Sequence, residues 1–385
     1  MRPSKVIVDL SKLDSNIREI RKVLKPDIQF MAVVKANAYG HGAVEIARQA
    51  LKSGASWLGV AIPEEGAELR EAGITAPILV LGGIDESQIG TVVKYDLSQC
   101  IFSLETAKLL DKEAKQAGKR IGVHVKVDTG MGRIGLTDPE KVRILCCQLK
   151  NSSHIELEGI FTHFAVADEE DRSFTQSQLT RFNNVLDILK RDGIYFKYVH
   201  AANSAAILEY PDAHFNLVRG GIAIYGYYPS QFVKEHSTIK LEPILKWETR
   251  VIDVKDIEKG DSISYGRTFV ADRPMRIAIL PVGYADGYSR LFSNKSWVII
   301  NGQRARVTGM ICMDQLMVDV THIPEVKPGD TAVLIGKQGK EGITAEDLAC
   351  LSNTISYEIL TSIGPRVPRF YTGKEHCQDM DKQRL

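Results

Sequence analysis

The sequence predicts an α/β protein: a (β/α)8 TIM-type barrel followed by a second, mostly β domain. Three observations carry this. Between about residues 29 and 226, eight short β-rich runs alternate with helical stretches. After about residue 240 the alternation stops, and β-type runs follow one another between Gly, Asp, Asn and Pro turns. Residues able to do chemistry recur at the C-terminal ends of the eight runs, where barrels build their sites.

The eight candidate strands are QFMAVVK (29–35), WLGVAI (57–62), ILVLG (78–82), SQCIF (98–102), IGVHVKVD (121–128), LEGIFTHF (157–164), KYVHAAN (197–203) and LVRGGIAIYG (217–226). Several are nearly continuous apolar runs, as parallel strands covered on both faces require. Between them lie stretches such as VEIARQALKSG, PEEGAELREAG, LETAKLLDKEAKQAG and TQSQLTRFNNVLDILKRDG, several closed by a helix-stopping Gly. In the last of these the stripe Leu179, Phe182, Leu186, Leu189 reads as core. A doubly wound open sheet is the structural rival, and the strand-end residues favour the barrel. The expected division is a barrel over 1–240, its first ten or so residues free to pack with the second domain, a β-rich domain over 241–373, and a loose polar tail over 374–385. The join falls in YYPSQFVKEHSTIKLEP, residues 227–243.

At 385 residues the chain is long enough for a barrel plus a partner domain. Lys+Arg 49 against Asp+Glu 48 leaves a formal charge of +1, so no global field draws nucleic acid or anionic lipid, and a small-molecule partner is expected. Charges interrupt the N-terminal apolar residues, which argues against a signal peptide, and no run is long and apolar enough to span a membrane. The six cysteines show no C-x-x-C spacing and read as reduced thiols, which points to the cytoplasm. No His/Asp/Glu cluster has metal-ligand spacing.

Lys35 ends the first run; Lys126 and Asp128 end the fifth, followed by TGMGR with Arg133; His163 ends the sixth; Asn203 and Ser204 follow the seventh; Arg219 sits in the eighth. A lysine at a strand end is usually a solvated charge. Lys35 follows MAVV, however, so its root is buried, and burial favours the neutral amine that Schiff-base chemistry needs. A histidine such as His163, taken alone, is more often a satisfied core residue than a catalyst. Arg219 in an apolar strand is harder to dismiss, because a buried guanidinium needs a partner. The Gly-rich RGGIAIYG, with Asn203-Ser204, fits the phosphate site that barrels build after strands seven and eight.

Together these segments resemble the alanine racemase family, a pyridoxal phosphate (PLP) enzyme group. AVVKANAYGHG is similar to the family's cofactor-lysine signature, and VKVDTGMGR, GIFTHFAVAD, HAANSAA, VRGGIAIYG, ISYGRTF, PVGYADGYSR, GMICMDQ and ISYEILTSIGPRVPR fall in the family's order. The resemblance spans the chain except the polar tail. It implies that Lys35 holds PLP and acts as one base, while Tyr265 of the partner subunit of a homodimer is the opposing base. It also places Arg219 at the pyridine nitrogen, where a group that cannot accept a proton weakens the electron sink and restrains transamination. His163 would bridge Arg219 and Tyr265. Tyr39, Asn203, Ser204, Tyr357 and the backbone of Gly221 and Ile222 would serve the cofactor, most of them at its phosphate. Arg133 and the main chain of Met313 would receive the substrate carboxylate.

Lys126 lies near Arg133, and two cations aimed at one point repel. The resemblance implies a carbamylated Lys126; pairing with Asp128 is the alternative. Asp168, Tyr284 and Arg290 are implied entryway residues, and Met310 stands where many relatives carry an arginine, which puts entry control in doubt. The product expected of the family is D-alanine for peptidoglycan. Serine or broader racemisation stays open, since a small apolar pocket rejects an added hydroxyl weakly. A PLP-dependent decarboxylase and a non-catalytic PLP-binding protein are the more distant rivals.

Overall fold

The computed structural model describes residues 2–373. The expected polar tail and Cys377 lie outside the described residues. The chain divides into two units: one of Lys12–Ala38 and Ala43–Glu242, the other of the described residues of Met1–Ser11, Tyr39–Gly42 and Pro243–Leu385.

After β1 (Lys5–Asp9), which belongs to the second unit, the larger unit contains β2 (Gln29–Val33), β3 (Trp57–Val60), β4 (Ile78–Val80), β5 (Ser98–Ile101), β6 (Ile121–Lys126), β7 (Ile155–Phe161), β8 (Tyr198–His200) and β9 (Leu217–Gly220). They form one parallel sheet in the order β8-β7-β6-β5-β4-β3-β2-β9. The ends are joined by backbone bonds from Asn216 N–H to the Val199 carbonyl at 3.4 Å and from Arg219 N–H to the Ala202 carbonyl at 3.0 Å. The predicted (β/α)8 barrel is the observed fold. β3 and β4 are buried at every residue, which is why they read as unbroken apolar runs. Met31, Trp57, Leu79 and Leu217, from four different strands, form one cluster of the core.

Helices follow the strands, and several start on a side-chain cap. Asp85 and Gln88 form a capping box, and Ser103, Asp138 and Asn203 each accept a backbone N–H of the following turn. The eighth run is shorter than predicted. β9 stops at Gly220 and Ile222–Tyr225 winds into a 3-10 turn, because Gly221 takes φ −100°, ψ −113° and leaves the extended path. Lys35 likewise lies beyond the end of β2, not within the strand.

The smaller unit carries β10 (Leu245–Arg250), β11 (Asp253–Ile257), β12 (Ser262–Ile263), β13 (Phe269–Val270), β14 (Met275–Leu280), β15 (Trp297–Ile300), β16 (Gln303–Val307), β17 (Leu316–Asp319), β18 (Thr331–Gln338), β19 (Glu341–Ile343) and β20 (Arg369–Thr372). Its main sheet runs β11-β14-β17-β16-β15-β18-β10-β1-β20, with β19 on β18. All its pairs are antiparallel except β1 with β20, where Val6 faces Arg369. Two short helices, Ala345–Ser352 and Ser356–Thr361, add to what the sequence signals. No helix among the described residues is long and apolar enough to cross a membrane.

Candidate active site

The segment after Lys35 is bent unusually. Ala36, Asn37, Ala38 and Tyr39 all have φ of 52–53°, the left-handed region. Such a conformation costs roughly 1–2 kcal/mol per L-residue, so the turn needs external ties. Three are present. Glu65 Oε1 accepts the Ala36 N–H at 2.6 Å while its other oxygen accepts Ala61 N–H at 2.7 Å. Asn37 Oδ1 accepts the Ala43 N–H at 2.8 Å, and the Ala38 N–H reaches the Val34 carbonyl at 2.8 Å. Lys35 at the head of this turn is half-buried. Burial first, then the charges of Arg133 and Arg219, lower its pKa against the opposing pull of Glu65.

Arg219 is buried at 3% exposure. Its Nη1 donates to His200 Nδ1 at 2.9 Å, and its Nη2 lies 3.1 Å from His163 Nδ1, 3.0 Å from the Thr162 carbonyl and 2.9 Å from the Ala201 carbonyl. Its Nε–H enters none of these bonds. Burial and Arg133 push Arg219 down to about 9, still protonated at neutral pH. His163 is held well below the usual histidine range by burial and then by Arg219, Lys126, Arg133 and Lys35.

Lys126 is buried at 2% exposure, its Nζ donating to the Val127 carbonyl at 3.2 Å and lying 5.0 Å from the Phe161 ring centre. Burial and then Arg219 push it down to about 7. Asp128 spends its carboxylate elsewhere: it accepts the backbone N–H groups of Gly130, Met131, Gly132 and Arg133 at 2.8–3.2 Å, folding the TGMGR loop. Burial raises its carboxyl, but the bonds from Gly130, Gly132 and Met131, joined by the Lys126 charge, outweigh it and hold the pKa low. The Asp128 carboxylate thus holds the loop, while the Lys126 charge still acts on it. Arg133 itself is exposed.

At the end of the barrel, Asn203 Oδ1 caps its helix by accepting the Ala206 N–H at 3.0 Å. Ser204 Oγ accepts from Gly221 N–H at 2.9 Å and Ala223 N–H at 3.3 Å, which leaves its own O–H to donate. Ile222 opens the 3-10 turn, whose first N–H groups have no partner inside the turn. Asp168 is half-buried and its carbonyl takes the Ser230 hydroxyl at 2.6 Å.

Within the smaller unit, Tyr39 and Tyr357 stand together, ring centres 5.9 Å apart and tilted by 52°. Tyr265 is 71% exposed, and its turn is pinned by Ser264, whose hydroxyl donates to the Met310 carbonyl at 2.6 Å. The Met313 carbonyl accepts Ala285 N–H at 3.0 Å and that of Cys312 accepts Tyr284 N–H at 3.1 Å, so the SYGR, GYADG and CMDQ segments form one assembly. Arg366 braces it, donating to Asp314 at 2.6 Å and lying 3.5 Å from buried Asp286. Tyr284 and Arg290 are exposed, and Met310 is half-buried.

PLP needs an amine that can lose its proton, donors for a phosphate, and a partner for its ring nitrogen. The barrel's own residues fit: Lys35 is desolvated among cations, the Ser204 hydroxyl and the 222 turn offer donors, and the buried Arg219 keeps Nε–H available. Glu65 in PEEGAELREAG, His124 in IGVHVKVD and His200 in KYVHAAN also bear on the site, and nothing in those runs marks them. Their signal is weak, since each gains meaning only from a partner distant in the chain.

A barrel whose desolvated lysine follows a strand end, with phosphate donors at Ser204 and the 222 turn and a second β domain, fits a PLP-dependent enzyme of the barrel type. Residues 8–229 match the family described as alanine racemase, N-terminal domain, and residues 244–371 its C-terminal domain. The chain is 48% identical over 374 residues to an alanine racemase of Symbiobacterium thermophilum and 45% identical over 373 residues to one of Halothermothrix orenii, each covering 97% of this chain and 98% of the relative. A crystal structure of an alanine racemase from Bacillus anthracis, with bound L-Ala-P, superposes with a TM-score of 0.93 at 40% identity, covering 97% of this chain and 96% of that one. The chain belongs to the alanine racemase family, whose members are PLP-dependent.

Proposed function

We propose that the chain interconverts L- and D-alanine as a cytoplasmic homodimer, supplying D-alanine for peptidoglycan. The observation that carries this is the desolvation of Lys35 beside Arg133 and Arg219, which makes a neutral amine available at a strand end. PLP, when bound, draws electrons from the substrate's Cα and acidifies its proton. Lys35 Nζ takes or returns that proton on one face. The phenol oxygen of Tyr265 of the partner subunit does the reverse on the other face, and two bases on opposite faces invert Cα.

In this reading Arg219 turns its Nε–H to the ring nitrogen, and His163, its Nδ1 engaged by Arg219, keeps a proton on Nε2 to stabilise the phenolate. Asn203 caps the helix that begins at Ser204; Ser204, Gly221, Ile222, Tyr39 and Tyr357 serve the phosphate. Arg133 and the Met313 N–H take the substrate carboxylate. Lys126, down to about 7, has a large neutral fraction. That amine attacks CO2: a new N–C bond forms, one proton leaves, and the resulting carbamate anion orients Arg133. Asp168, Tyr284, Arg290 and Met310 line the approach.

The test incubates PLP-loaded protein separately with L-alanine, L-serine and L-lysine and follows the D-isomers by chiral chromatography. Preferential D-alanine, abolished in Lys35→Ala and Tyr265→Phe, is the expected result. Equal use of serine moves the reading to a broader racemase. No racemisation with PLP bound through Lys35 overturns it in favour of a decarboxylase or a PLP-binding protein.

A further inference from the structure

The barrel interior contains a chain of polar groups, hydrogen-bonded from Arg219 to His124 and closed by an electrostatic approach of His124 to Glu158. Arg219 Nη1 reaches His200 Nδ1 at 2.9 Å; His200 Nε2 lies 2.8 Å from His124 Nδ1; His124 Nε2 lies 3.4 Å from Glu158 Oε2; and Ser98 Oγ donates to that same oxygen at 2.7 Å. Both histidines are fully buried, whereas Glu158 is half-buried. The chain runs from β9 through β8 and β6 to β7, towards the strand starts where Ser98 opens β5.

Its direction is forced. A guanidinium only donates, so His200 Nδ1 must accept and its proton sits on Nε2. His124 Nδ1 must then accept, which leaves the His124 proton on Nε2, facing a carboxylate that only accepts. Every link points the same way, from the buried cation to the anion.

The backbone is cut to fit this path. A Cβ on Gly159 would lie 2.3 Å from His124 Nδ1, and a Cβ on Gly122 would lie 2.3 Å from Glu158 Oε2 and 3.0 Å from Ser98 Oγ. Glycine inside a strand is unfavourable unless something must approach closely, and here a ring and a carboxylate do. The β6–β7 register also shifts between Val123 and His124. The rings are clamped: His200 stacks on Phe161 at 4.7 Å, and His124 lies between Tyr198, stacked at 6.0 Å, and the edge of Trp57 at 5.4 Å.

We propose that Glu158, His124 and His200 are positioning residues for Arg219, a one-way relay that fixes the plane of its guanidinium and supplies its countercharge from across the barrel. A carboxylate behind an imidazole makes the far nitrogen a better acceptor, as it does for metal-bound histidines. The energetics agree: burial lowers both histidines, for His124 against the opposing pull of Glu158, while the neighbouring His124 ring and Ser98 hydroxyl outweigh burial at Glu158 and hold its carboxyl low. The proposal rests on the reading that Arg219 faces the ring nitrogen.

Imidazole 15N NMR of the holoenzyme, assigned with single histidine variants, reads the tautomers directly. Both rings are expected as neutral Nε2–H forms from about pH 6 to about pH 9; an Nδ1–H form or an imidazolium in either overturns the relay. His124→Phe, at full PLP loading, is expected to lower kcat about tenfold with little change in KM and to shift the ratio of transamination to racemisation in the same sense as Arg219→Glu. Glu158→Gln keeps an acceptor oxygen, drops the charge and should show a smaller effect of the same kind. Unchanged kcat and ratio in both variants, where Arg219→Glu alters them, overturns the positioning role. An Arg219→Glu variant with an unaltered ratio, alongside the expected tautomers, overturns the reading of Arg219 and leaves the relay as a structural counter-ion only.

Discussion

Arg219 Nη2 lies 3.1 Å from His163 Nδ1, and because the guanidinium can only donate, the imidazole must present a lone pair there. His163 is thus neutral with its proton on Nε2. Burial, and then the neighbouring Arg219 charge, oppose any second proton.

The same holds for His124 and His200, and it sets a pH dependence. All three have folded pKa values below the unfolded value of about 6.5. The unfolded chain therefore binds more protons once pH falls below about 6.5, and stability, complete above that point, declines as pH drops towards the folded values. Each histidine contributes a slope of at most about 1.4 kcal/mol per pH unit. Denaturant midpoints measured from about pH 8 down to about pH 5 should fall progressively, with His163→Gln flattening the slope; a midpoint independent of pH contradicts the buried neutral rings.

Lys126, lowered to about 7, should react with CO2 at neutral pH. Carbon-13 NMR in labelled bicarbonate should give a carbamate resonance in the native protein that is missing from Lys126→Ala. An unmodified Lys126 in bicarbonate removes the proposed orienting anion. Because the neutral amine is the reactive form, the carbamate signal should weaken as pH falls below about 7.

Tyr265→Phe should lower kcat about 10²- to 10⁴-fold, the usual scale for losing one general acid–base group. The loss should be one-sided. With Lys35 intact, solvent deuterium is expected to exchange into the Cα of one enantiomer and to cease with the other. Exchange lost equally from both would deny the division of labour between the two faces.

Glu65→Ala removes the acceptor of both Ala36 and Ala61 N–H groups. A charge-assisted bond contributes about 1.5–3 kcal/mol, so the left-handed turn loses a main restraint. Thermal unfolding should show a clear drop in Tm. Losing the Glu65 charge, which raises Lys35, should also lower the Lys35 pKa further, readable as an acid shift in the pH dependence of amine labelling.

The barrel was legible because its strands are buried on both faces and so write themselves as unbroken apolar runs, Trp57–Val60 and Ile78–Val80 most plainly. The limits of the eighth run were not, since IAIY after Gly221 has strand-like composition and only the glycine's backbone geometry turns it into a 3-10 segment. Lys35 and Arg219 stood out by breaking an apolar pattern. His124 and His200 did not, for a buried histidine is informative only through its partners, and theirs lie up to 76 residues away. Glu65 was hidden among the acids that ordinarily open a helix. The role of Asp128 went unread because its four backbone donors follow from the fold of TGMGR, not from any charged neighbour.

β1 lies between β10 and β20, antiparallel to the first and parallel to the second. In order of synthesis, β1 is made before both of its partners and must wait for residues 369–372 to complete its pairing. The intervening barrel strands pair largely with sequence neighbours and can close by themselves, whereas the sheet of the smaller unit stays open between β10 and β20 until residues 5–9 return. A label or deletion there acts in the middle of a sheet, far in sequence from both of the strands it joins.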